Sequence, residues 1–279
     1  MSDLLDKASP LIRLSQGHLN LLECCPPKFQ QVYLDCLSPL PVPEKQESTQ
    51  WGSRFHLLMQ QRELALPIEP ILQADVELDR SLTALTQAAP DILVKDSHTW
   101  REAEHCRTLG VGDFLLTVIY DLLIAETGKA RILDWKTYRQ PEHKKKLANN
   151  WQTRLYLYVL AETSDYTPEK ITMTYWFVKP AKPQSVTFTY SKLKHQKTKQ
   201  DLASLLNNLE HWLEAYRQKQ IAFTHSPNCQ TKCPYYQYLG IVDRNLNISK
   251  NCDYPSGRLR DHSQEDLLTS IADIEEISI

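Results

Sequence analysis

Glycine is scarce in this sequence, seven residues in 279, and none of them falls in a G-x-x-x-x-G-K run. A phosphate-cradling nucleotide loop is therefore missing, and any ATP-driven step has to come from a separate partner. Long apolar runs are missing as well: none reaches the roughly 18 residues that a membrane-spanning helix needs. The opening MSDLLDKASP lacks the basic-then-apolar order of a secretion signal, so a cytoplasmic location is expected. Charge of one sign is not in excess. Lys+Arg 32 against Asp+Glu 34 leave a formal −2, so there is no global basic field and any polyanion would need a local patch. Seven cysteines, an odd number without an export signal, argue against structural disulfides and for burial or metal binding.

What remains is an ordinary core-forming chain, 42% hydrophobic and 24% charged. Two short helices are expected around a break at Pro26-Pro27, followed by a loop, LSPLPVPEKQESTQ, over 37–50. A helix then starts near Trp51 with Phe55, Leu58 and Met59 on one face, and another runs over 69–88. From 98 to 137 the β-branched and aromatic segments FLLTVIY and ARILDWKTY, with turns at Leu109-Gly110 and Thr127-Gly128, predict an antiparallel meander. A helix over 144–162, two strands (KITMTYWFVK and SVTFTY) and an amphipathic helix over 192–219 complete the pattern. The reading is α/β: a central mixed sheet flanked by helices, one domain over 1–250, with 251–279 a loosely ordered tail.

Three pieces in the middle carry chemistry. Gly112-Asp113 stands at the start of an expected strand. Asp134 and Lys136, two apart in a strand, share a face. Gln152 and Tyr156, four apart in a helix, share another. Paired carboxylates suit a hard divalent cation, which can polarise a phosphoryl oxygen and acidify a bound water. A lysine on the same face adds positive charge where negative charge develops. Glu104, Asp121 and Glu126 are read here as solvated charges of the meander.

Asp113, Asp134-Trp135-Lys136 and Gln152-Thr-Arg-Leu-Tyr156 resemble the ordered motifs of the PD-(D/E)XK nuclease superfamily, RecB-like branch. LSQGHLNLLECCPPKF resembles that branch's opening helix, with Cys25-Pro26 at its Cys-Pro, and Gly52-Ser-Arg-Phe-His56 its upstream histidine motif. The likeness covers about residues 14–240. It implies a restriction-endonuclease-like core and DNA phosphodiester hydrolysis with Mg²⁺ or Mn²⁺, exonuclease-like on duplex ends or single strands, with any unwinding left to a helicase or a repair or processing partner. It also assigns roles. Asp113 and Asp134 would ligate the metal, with His56 and the Trp135 carbonyl completing the shell. Lys136 would be the catalytic lysine, and Gln152 and Tyr156 would position it or the substrate strand.

The resemblance also bears on the cysteines and lysines. Relatives in that branch hold a 4Fe–4S cluster on four thiolates. Cys25, Cys229 and Cys233 match the first three, but Tyr238-Leu239-Gly240 stands where the fourth belongs. Three readings stay open: a decayed cluster, Cys252 as fourth ligand, or a zinc on the remnant. Lys144, Lys145 and Lys146, between D-x-K and Q-x-x-x-Y, with Arg154 inside the latter motif, would contact a nucleic-acid backbone in a salt-sensitive way. A second basic run, Lys192, Lys194, His195, Lys197 and Lys199, is likewise rich in lysine. The alternative function is a nucleic-acid-binding or assembly module with an unused nuclease site.

Overall fold

A computed structural model describes residues 11–37, 43–93, 99–138 and 142–225. In chain order the elements are β1 (Ile12–Leu14), α1 (Gln16–Cys24), α2 (Pro26–Phe29) running into a π-turn, and α3 (Pro43–Glu63). Next come α4 (Glu69–Ala74), α5 (Val76–Ala88), α6 (Pro90–Leu93), β2 (Trp100–Val111), β3 (Phe114–Glu126) and β4 (Lys129–Lys136). The chain continues through α7 (Lys144–Asn149), α8 (Trp151–Glu162), β5 (Ile171–Phe177), β6 (Gln184–Thr189) and α9 (Lys192–Lys219). The strands form one mixed sheet in the order β1-β3-β4-β5-β6, with β2 paired to β3. β1 runs parallel to β3 and β4 parallel to β5, while β3–β4 and β5–β6 are antiparallel. This is the expected α/β architecture. No helix among the described residues is long and apolar enough to cross a membrane.

The described residues fall into two compact units: one comprises 11–37, Gly110–Leu116 and 200–225, the other 43–93, 99–109, 117–138 and 142–199. In the first, Ile12–Leu14 pairs with Phe114–Leu116. Phe223 closes this unit: it stacks on Phe29 at 6.3 Å, and its N–H donates to Gln30 Oε1 at 2.7 Å. The buried thiol of Cys25 belongs here; Cys229, Cys233 and Cys252 lie outside the described residues, as does the 251–279 tail.

The second unit is built on strand alternation. Leu122, Ile124, Leu133 and Trp135 turn to one face of the sheet. There they pack with Trp51, Phe55, Leu58 and Met59 of α3 and Leu78, Leu82 and Leu85 of α5. Each such buried side chain contributes about 1.5–3 kcal/mol. The period of two then sends Ile132, Asp134 and Lys136 to the opposite face, under α8. A buried ion pair joins α3 to β2: Arg101 Nε and Nη2 donate to the two Glu63 carboxylate oxygens at 2.7 and 2.8 Å.

Some boundaries differ from the sequence reading, each for a local reason. α3 begins at Pro43, not near Trp51, because its first turns carry good helix formers without an apolar stripe and Pro suits a first helical position. The 69–88 segment is two helices, because Asp75 leaves helical geometry and caps α5 through Glu77 N and Leu78 N. Asn150 likewise splits 144–162 and caps α8 through Gln152 N at 2.8 Å. The β2–β3 turn falls at Gly112-Asp113, with Gly112 at φ +57°, and not at Leu109-Gly110.

Candidate metal and nuclease centre

The end of β4 holds a closed ring of polar contacts. Asp134, only 2% exposed, meets Lys136 Nζ through Oδ1 at 2.8 Å. Lys136 Nζ donates to Gln152 Oε1 at 2.7 Å, and Gln152 Nε2 donates to Asp134 Oδ2, also at 2.7 Å. Strand period places the carboxylate and the ammonium side by side. The Asn150 cap starts α8 where Gln152 can reach both.

One strand over, Asp121 of β3 accepts the Trp135 N–H on Oδ2 at 2.6 Å, and its Oδ1 lies 3.4 Å from His56 Nδ1. The other ring nitrogen of His56, Nε2, donates to the Trp135 carbonyl at 3.0 Å. Glu104 of β2 joins them: ligand atoms of His56, Glu104 and Asp121 all lie within 4.8 Å of one another. Glu104 has a left-handed backbone, φ +52°, inside its strand, a departure that re-aims a side chain. Glu104, Asp121 and Asp134 thus stand on three neighbouring strands, where like charges repel unless cations intervene. His56 and Lys136 supply those cations. Gly52, one helical turn before His56, lets α3 approach closely: a Cβ there would come within 2.8 Å of Thr137 Oγ1.

The donor set suits a divalent cation: carboxylates, one imidazole and a backbone carbonyl converge from four elements. Without one, His56 holds a proton instead. Burial works against the charged ring, but Asp121, Asp134 and Glu104 outweigh it and push the pKa up to about 10. A folded value above the ordinary 6.5 means that the charged ring stabilises the metal-free fold fully below pH 6.5. That contribution fades as pH rises toward 10. A cation must displace the same proton. Binding of Mn²⁺ is therefore expected to release a proton and to tighten as pH rises from 6.5 to 10. Calorimetry in two buffers of different ionisation enthalpy measures the release; equal heats in both would count against it.

A family model for the PD-(D/E)XK nuclease superfamily matches residues 13–238. The chain belongs to that superfamily. Comparison with the curated proteins returns no match. Among solved structures, a protein of Eubacterium rectale described as a candidate exonuclease shares 9% identity at a TM-score of 0.47, over 90% of this chain and 95% of that one. A protein named SSO0001 shares 15% identity at a TM-score of 0.34, over 86% and 89%.

Within this PD-(D/E)XK chain the motif residues separate. His56, the Trp135 carbonyl, Asp134, Lys136 and Gln152 come together as described. Asp113 does not: it is exposed in the β2–β3 turn, and only its carbonyl is engaged, by Ile12 N–H at 3.0 Å. The β3 carboxylate that faces His56 is Asp121. Reading Asp121 and Glu104 as solvated charges is corrected: the Asp121 side chain is 11% exposed, and both residues gather around His56. Glu126 is half-buried and paired with Lys129 and Arg131 at 2.9 Å each. Tyr156 is a core residue, 1% exposed, edge-on to Tyr120 at 5.2 Å, with its carbonyl accepting the Tyr120 hydroxyl. Lys144, Lys145 and Lys146 are exposed on α7, and the Arg154 guanidinium stacks on Trp151 at 4.1 Å. The second basic run opens α9. There Tyr190 N–H bonds to Ile171 O and His195 to Glu162, at the opposite end of the strands from Lys136.

The missed carboxylate did leave a signal. Asp121 is the single charge in FLLTVIYDLLIA, an apolar strand in which an unpaired acid would be costly.

Proposed function

We propose that this chain is a divalent-metal-dependent DNA nuclease of RecB-like type, acting on ends or single strands in the cytoplasm. The observation that carries the reading is the convergence of His56, Glu104 and Asp121 beside the Asp134–Lys136–Gln152 ring. His56, Glu104, Asp121, Asp134 and the Trp135 carbonyl would hold Mg²⁺ or Mn²⁺, which polarises a phosphoryl oxygen and lowers the pKa of water. Lys136 supplies fixed positive charge beside the attacked phosphorus and orients the water. Gln152 holds Lys136 and Asp134 in a common orientation. Lys144, Lys145, Lys146 and Arg154 contact backbone phosphates without regard to sequence.

The test is cleavage of end-labelled single- and double-stranded DNA with Mg²⁺ or Mn²⁺. EDTA is expected to stop the reaction, and Lys136→Ala to slow it on the order of 10²–10³-fold. Asp134→Ala should be inactive. Cleavage that survives both substitutions would sink the assignment. Salt-sensitive binding of DNA without cleavage by the wild type would instead favour the binding module.

A further inference from the structure

Lys136 has a further neighbour that no motif names. Its Nζ sits over the ring of Tyr175, 5.1 Å from the centroid. Parallel pairing of β4 with β5 sets this up: Asp134 and Tyr175 are register partners, with Lys136 opposite Phe177 two residues on. The ring is fully buried and cannot swing away. Thr153 Oγ1 donates to Leu147 O at 2.6 Å, so at 2.7 Å the Tyr175 hydroxyl is the donor to Thr153 Oγ1. Burial foremost keeps that phenol protonated, raising its pKa far above the ordinary value. Phe188 braces the ring edge-on at 5.9 Å. The π face is thereby fixed toward the ammonium, where such a contact is favourable.

We propose that Tyr175 is a positioning residue that holds the Lys136 ammonium through its ring face, independently of any metal. The inference rests on the nuclease reading for its consequence, though not for its geometry. Lys136 leans on Asp134, Gln152 and Tyr175. Asp134 is also a candidate metal ligand, and a cation that drew on its oxygens would weaken its hold on the lysine. A hard cation takes oxygen donors and does not compete for an aromatic face. Tyr175 and Gln152 are thus anchors that a cation on the carboxylate leaves in place. The two elements carrying them, β5 and α8, are joined by the Tyr175–Thr153 bond, so the cradle moves as one piece.

Full-length protein with isotope-labelled lysine provides the test, beside Tyr175→Phe and Tyr175→Leu. In metal-free wild type the Lys136 side-chain methylene signals are expected upfield, shifted by the ring current. Phe keeps that shift and Leu loses it. In cleavage assays Leu is expected to lower kcat about tenfold with KM little changed, and Phe to recover most of the loss. A wild-type Lys136 resonance at the ordinary lysine position overturns the proposal, as does a Phe variant as impaired as Leu. A folded Leu variant with full kcat does so too. If Leu does not fold, the wild-type and Phe spectra still decide. Those spectra also stand apart from the nuclease reading, because they need no substrate. A normal ring-current shift in a protein that cuts nothing would condemn that reading and leave the cradle intact.

Discussion

Asp121→Asn is expected to abolish metal-dependent cleavage while Asp113→Asn stays within about threefold of wild type. The two residues compete for one role on the strength of sequence alone, and their surroundings decide between them. Asp121 is anchored by the Trp135 N–H and faces His56. Asparagine keeps the acceptor for that N–H, so the strand pairing survives. What is lost is the negative charge, which is the strongest attraction on the His56 ring and a principal donor to any bound cation. A rate loss on the order of 10³-fold, a little over 4 kcal/mol of transition-state stabilisation, follows. Asp113 contributes a carbonyl to Ile12 and an exposed side chain to solvent, and asparagine preserves the carbonyl. Steady-state cleavage by both variants, with circular dichroism to confirm folding, checks the pair. An inactive Asp113→Asn beside an active Asp121→Asn would overturn the site as described here.

Why the sequence singled out Asp113 and passed over Asp121 is itself physical. Gly112-Asp113 is a turn dipeptide, and the same composition that makes a tight hairpin also opens a strand. Placing the turn three residues early, at Leu109-Gly110, puts Asp113 on the sheet. With the turn at Gly112-Asp113, Glu104 of β2 comes level with Asp121 of β3, and the carboxylate row appears. No periodicity reveals the left-handed backbone at Glu104. By contrast Asp134, Lys136 and Gln152 were legible because each depends only on local spacing: two in a strand, and one near a helix start. Tyr156, 1% exposed, shows the complementary limit of local spacing. α8 is buried over most of its surface, from Trp151 through Leu160, so helical spacing there does not separate a site face from a core face. Tyr175 depends on the pairing of β4 with β5, which lie far apart in sequence, and no local pattern encodes that register.

Away from the centre the largest effect is expected at Glu63. Its carboxylate and the Arg101 guanidinium are 8% and 7% exposed, and they bond bidentately while Arg101 Nη2 also reaches Ile92 O at 2.8 Å. Removing one member of such a pair strands the other charge away from water. Glu63→Ala is therefore expected to cost about 3–5 kcal/mol, seen as a fall of roughly 10 °C in melting temperature. Replacing both members, Glu63→Leu with Arg101→Met, should recover most of that stability, because the cost lies in the uncompensated charge and not in the loss of attraction. The double variant remains informative about function. The pair ties the end of α3, which carries His56 two turns earlier, to β2, which carries Glu104 three residues later. Apolar packing can restore the stability without restoring the fixed geometry of the ion pair. The double variant should thus melt near the wild type yet bind Mn²⁺ more weakly. Equal Mn²⁺ affinity in the two proteins would show that the ion pair stabilises the unit without positioning its metal ligands.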